Sequence, residues 1–126
     1  MADLVRIFAA ESGTTVADIS HDTSALPDIV LQVEASTPEF SGGHLYRVGG
    51  WVRNKRTGEV IELGPKNGSL TDSNWPDRNT NIVFPFPGAM DVEEDDIIEL
   101  KGYVRVGAAI AGADASLAAT EFLFVV

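Results

Sequence analysis

The sequence predicts an all-β fold, a sandwich of about seven antiparallel strands. Three observations carry this expectation. Apolar residues alternate with polar ones in several short runs, clusters of Gly, Pro, Asn and Asp separate the runs, and no segment makes a convincing helix. The 126 residues are close to the commonest domain size, and no linker or internal repeat divides them, so residues 1–126 read as a single β-sandwich domain.

The clearest strand is Asp28 to Ser36, in which Ile29, Leu31, Val33 and Ala35 share one face and Gln32, Glu34 and Ser36 the other. His44 to Asn54 follows, with Tyr46, Val48 and Val52 on one side and Arg47 and Arg53 on the other. The turn Asn54-Lys55-Arg56-Thr57-Gly58 leads into Glu59 to Leu63, a hairpin that needs Gly58 at positive φ. Gly64 to Asn79 reads as a long polar loop. Asn79 to Phe86 reads as an edge strand, because Pro85 cannot donate to a ladder. Asp96 to Gly107 alternates again, with Ile98, Leu100, Val104 and Val106 inward and Glu99, Lys101, Tyr103 and Arg105 outward. The Ala- and Gly-rich stretch Ala108 to Ala119 reads as a connection, Glu121 to Val126 as the closing strand, and Leu4 to Ala9 as the opening one. The closing strand suits either the core or addition to a neighbour's sheet.

Composition narrows the chemistry. With 44% hydrophobic residues the chain has enough apolar side chains for a core that needs no disulfide or metal. The lack of cysteine excludes disulfides, cysteine zinc sites, iron–sulfur clusters and thiol nucleophiles. Cytoplasmic is the expected location, with an extracellular one open if a signal segment has been removed. Asp3 and Glu11 interrupt any secretory pattern at the start, and no apolar run approaches the about 20 residues of a membrane span. A net charge of −10, from 9 basic and 19 acidic residues, argues against nucleic acid and anionic membranes as partners. A protein partner or self-association is expected instead.

This strand order resembles an immunoglobulin-like or fibronectin-III-like sandwich, with a C2-like or jelly-roll arrangement as the alternative. The resemblance is one of architecture. Trp51 falls in the third strand, where immunoglobulin domains carry a core tryptophan, whereas the paired cysteines are absent and Gly102-Tyr103 does not form the tyrosine-corner spacing.

Candidate functional residues follow from charge and aromaticity. His21 and His44 lie far apart without a ligand spacing for zinc. Glu34, Glu62 and Glu99 are outward-facing on their strands and indicate no cleft, so a non-enzymatic protein is expected. Arg47, Arg53, Lys55, Arg56 and Lys66 cluster on or beside the central hairpin. The densest negative charge is Asp91 to Asp96, and the two could meet head to tail. A bulge at Gly49-Gly50 is expected to turn Trp51 into the core. Without it, Trp51 stands outside between Arg47 and Arg53 as a ligand platform. Trp75 either caps the core or, with Trp51, Tyr46 and Tyr103, belongs to a sugar-binding face. No cofactor is expected: Asp72, Asn74, Asp77 and Asn79 offer oxygen ligands that calcium could use, but the same residue types make ordinary tight turns, which is the favoured reading.

Overall fold

A computed structural model describes residues 3–14, 17, 19–107 and 116–126. The described residues form seven strands: β1 (Asp3–Ala10), β2 (Asp28–Glu34), β3 (Leu45–Asn54), β4 (Val60–Ser69), β5 (Asn79–Pro85), β6 (Ile97–Gly107) and β7 (Ser116–Val125). They pair antiparallel in two sheets, β1-β2-β5 and β4-β3-β6-β7. The division into three and four strands meets the expectation of a seven-stranded sandwich.

Alternation explains which residues meet between the sheets. Ile29, Leu31 and Val33 of β2 and Ile82 and Phe84 of β5 are buried against Val48, Val52, Leu100 and Val104 of the opposite sheet. Each such side chain contributes about 1.5–3 kcal/mol relative to leaving it in water. Strand β2 is also buried on its outer face at Val30. Val30 joins Phe8 and Ala10 in a second cluster on the outside of the three-stranded sheet, where the Arg6 guanidinium lies 4.3 Å above the Phe8 ring.

Three elements differ from the sequence reading. Strand β4 continues through Gly64-Pro65 to Ser69, so the first six residues of the expected loop are strand. A single helical turn, α1 (Thr37–Ser41), follows β2 and brings Phe40 against the core. Strand β7 begins at Ser116 rather than Glu121, while residues 108–115 of the expected connection lie outside the described residues. The end of β7 is not a free edge: Val125 N–H donates to the Ile19 carbonyl, His21 N–H donates to the Val125 carbonyl, and Phe124 is buried. Strand β5 lies at a sheet edge, as its prolines require.

The β3–β4 turn is fastened to the β5–β6 loop by a buried polar clamp. Asn54 and Asp96 are the buried polar residues among those described. Asn54 Nδ2 donates to Asp96 Oδ2 at 2.9 Å and to the Asp91 carbonyl at 3.0 Å, while its Oδ1 accepts from Arg56 N–H at 2.9 Å. Asp96 also accepts from Arg56 Nε at 2.6 Å and from Glu93 N–H at 2.9 Å. Every polar atom of the pair therefore has a partner, which is the condition for burying them. The hydrogen bond from Arg56, with help from the Glu93 amide and Asn54, holds the Asp96 carboxyl down at about 2 against an ordinary value of 3.8.

A carboxyl depressed in the folded state stabilises that state above its unfolded pKa and loses the contribution as pH falls towards the folded one. Denaturation midpoints of the parent should therefore fall between about pH 4 and pH 2. Asp96→Asn should be less stable at neutral pH and should show a flatter decline across that window. An unchanged decline in the variant would assign the acid sensitivity to other carboxylates.

Candidate interaction face

The candidate site is built on β3, and its position depends on where one extra residue sits. Between Val48 and Gly50 strand β3 advances two residues, whereas its partner β4 advances three, from Lys66 to Leu63. The bulge thus lies in β4, at Gly64-Pro65, and not at Gly49-Gly50. Gly64 has φ of +69°, and a Cβ there would press on the Phe84 ring at 2.8 Å, so glycine is required. The glycines of β3 have a different task. Gly50 lies opposite Gly102 of β6, and a Cβ on Gly50 would collide with the Lys101 carbonyl, so the pair permits a close approach of the two central strands.

Alternation in β3 is therefore unbroken, and the expected inversion of Trp51 does not occur. Val48 and Val52 are buried, while Trp51 is 38% exposed on the outer face of the four-stranded sheet. Register with β6 sets its neighbours: Arg47 is opposite Arg105, Gly49 opposite Tyr103, Trp51 opposite Lys101 and Arg53 opposite Glu99. The Tyr103 ring lies over Gly49, with its Oη 3.0 Å from where a Cβ would be. Lys101 Nζ lies 5.9 Å from the centre of the Trp51 ring, within reach of a cation–π attraction. On the β4 side Asn67 Oδ1 accepts from Arg47 Nε at 2.8 Å, and Glu62 lies opposite Trp51.

Arg47, Trp51, Arg53 and Tyr103, all candidates from sequence, thus share one face, and Trp75 does not. Lys101 and Arg105 join them, so four of the chain's nine basic residues lie here. Among the side chains described, none of these four cations has an ion-pair partner: the Glu99 carboxylate opposite Arg53 is 3.7 Å from Lys55 instead, and Glu121 of β7 stands opposite Lys101 in register, its side chain outside those described. Like charges directly opposite each other destabilise a sheet, so the Arg47–Arg105 pair is a local cost. The face is apolar as well. Exposed Leu45, Trp51, Val60, Ile97 and Val125 are all on it by alternation and register, and Ile19 is the one other large hydrophobic with comparable exposure among the described residues. Apart from Trp51, the sequence reading missed this apolar set because Leu45, Val60, Ile97 and Val125 each sit alone at a strand end. Register alone unites them.

The remaining candidates have structural occupations. Trp75 is buried, not a contact residue: its ring packs 5.2 Å from that of Tyr46 and its Nε1 approaches the Arg78 carbonyl at 3.4 Å. Beneath it, both Asp72 carboxylate oxygens accept from Tyr46 Oη, at 2.8 and 2.9 Å, and Oδ1 also accepts from the N–H groups of Asn74 and Trp75. Burial, reinforced by the Asp72 carboxylate, pushes the Tyr46 hydroxyl up to about 12. The expected calcium ligands are therefore divided. Asp72 organises the turn, Asn74 and Asp77 are exposed, and Asn79 opens β5. No group of three or more His, Asp or Glu side chains among the described residues is arranged to hold a metal ion. Lys66 leaves the basic cluster too, donating to the Val83 carbonyl at 2.9 Å across the sandwich. Arg56 turns to the acidic run, with Nη2 3.8 Å from Glu93 and 3.9 Å from Asp91.

No helix among the described residues is long and apolar enough to cross a membrane. Comparison with protein-family models, with curated proteins and with solved structures finds no match to this chain.

The two tryptophans report the face and the core separately. Trp75→Phe should leave an emission readily quenched by acrylamide, and Trp51→Phe one that is blue-shifted and protected. The reverse pattern would remove Trp51 from the face.

Proposed function

We propose that this chain is a non-enzymatic protein-interaction module, or a structural subunit of a larger assembly, that engages its partner through the outer face of β4-β3-β6-β7. The observation that carries this reading is the convergence, on one sheet face, of exposed Trp51, half-buried Tyr103, an apolar rim and four cations that have no ion-pair partner among the described side chains. Trp, Tyr and Arg are the residues that dominate binding energy at interfaces, and Lys and Glu are depleted there. Size fits as well. Four strands about 4.8 Å apart and about ten residues long cover roughly 600 Å², near the ~800 Å² that each partner contributes to a standard interface.

The sheet order supports a module of the immunoglobulin/fibronectin-III-like type. The fourth strand pairs beside the third, in the sheet that also holds the sixth and seventh. Such sandwiches leave faces and end loops free for contacts. A second reading, carbohydrate binding, is favoured by one observation: Trp51 and Tyr103 are diagonal neighbours on the face, about 7–8 Å apart by sheet geometry, and flat rings stack on sugars.

Two measurements separate these readings. Binding to a protein partner should fall by about 100-fold or more in Trp51→Ala/Arg105→Glu, as expected when interface hot spots are truncated, and should be unchanged in Arg6→Glu on the opposite sheet. Equal loss in both variants would remove the face from the account. A shift of Trp51 fluorescence with a panel of neutral and acidic oligosaccharides would favour the sugar reading instead.

A further inference from the structure

The protein carries a surface complementary to its own basic face. The loop between β5 and β6 presents Asp91, Glu93, Glu94 and Asp95, all exposed. Arg56 approaches the first two. Glu94 and Asp95 have no ion pair among the described residues. The loop is held in shape from below by the Asn54–Asp96–Arg56 clamp, and the Asp95 N–H donates to the Val126 carbonyl at 2.8 Å. Asp95 adopts φ of +71°, in the left-handed region that Asp and Asn enter more readily than other residues with a side chain. A preorganised loop binds without the entropic cost of ordering.

We infer that the partner of the β3–β6 face is a second copy of this chain, with the acidic β5–β6 loop of one molecule seated on the Arg47–Trp51–Arg105 face of the next. This inference rests on the proposed role of that face. Charge complementarity selects the occupant. Packing two such faces together would gather four cations from each molecule into one contact, with Glu62 and Glu99 as the carboxylates of the face among the described side chains. Packing face on loop brings those cations against carboxylates. The contact joins two different surfaces, so each molecule keeps one free face and one free loop, and the assembly is a chain or a ring. Long-range repulsion between molecules of net charge −10 opposes the encounter, and the contact must overcome it locally. At ~0.15 M salt the Debye length of about 8 Å already screens that long-range repulsion, while at about 1 M it shrinks to about 3 Å and weakens the contact charges as well.

The test is sedimentation equilibrium on the whole chain over a wide concentration range. The parent should associate at ~0.15 M salt, and its apparent affinity should fall at least about tenfold at 1 M. Two variants isolate the halves of the contact: Arg47→Glu/Arg105→Glu removes the face, and Glu94→Lys/Asp95→Asn removes the loop. Asn is chosen at position 95 because it tolerates positive φ. Each variant alone should sediment at the chain mass of 13.4 kDa, with circular dichroism and thermal melting confirming that it folds. Mixed, they should form a dimer that grows no further, because one intact face and one intact loop remain between them. A mixture that stays monomeric while the parent associates would overturn the head-to-tail arrangement. A parent that is monomeric throughout, yet binds another protein through Trp51 and Arg105, would overturn self-association and leave the proposed role of the face standing. A parent that neither associates nor binds through that face would remove both.

Discussion

Unbroken alternation in β3 is the constraint on which the rest of the molecule depends. A strand that carries Val48 and Val52 into the core must carry Arg47, Trp51 and Arg53 to the opposite face, because side chains repeat with a period of two. The β3–β4 pair still needs an extra residue, and β4 supplies it at Gly64-Pro65, beneath the Phe84 ring. Had β3 supplied it, Trp51 would be in the core and the valine after it in water. Gly50 and Gly102 hold β3 close to β6, which aligns Arg47 with Arg105 and Trp51 with Lys101. The face is thus a product of where glycine is used in three strands.

Charge is distributed with the same economy. The chain is strongly acidic, yet its outer β3–β6 face gathers four of nine basic residues, and the β5–β6 loop gathers a run of carboxylates. The Asp96 clamp separates these roles. It draws Arg56 away from the other cations and uses it to anchor the acidic loop, so loop and face remain distinct surfaces of opposite sign. Stability and surface pattern meet in that clamp: the group that fixes the hairpin turn also fixes the shape of the loop.

Much of this was legible in the sequence, and the remainder failed for identifiable reasons. Period-two runs located β2, β3, β5 and β6 to within about two residues, because each has one face in the core. The second half of β4 was hidden. Gly64-Pro65 and Lys66-Asn67-Gly68 read as turn residues, and only pairing with β3 makes them strand. Trp51 was misplaced by the same local reasoning: Gly49-Gly50 signals an irregularity in that hairpin, but sequence cannot say which strand bears it. Trp75 stood open between core and contact, and Asp72 looked like a ligand residue; they form a buried ring and its turn because Tyr46 lies beneath them. The apolar rim of Leu45, Val60, Ile97 and Val125 leaves no sequence signal, since its members are scattered over four strands.

The most direct test of the account is thiol reactivity along β3, in a chain that contains no cysteine of its own. Single cysteines placed at positions 47, 48, 51, 52 and 53 would each be exposed to a charged thiol reagent under native conditions. The account predicts rapid reaction at 47, 51 and 53, and protection at 48 and 52 that is lost only on unfolding. Protection at 51 and 53 together with rapid reaction at 52 would mean that the strand inverts at Gly49-Gly50, which would contradict the existence of the face.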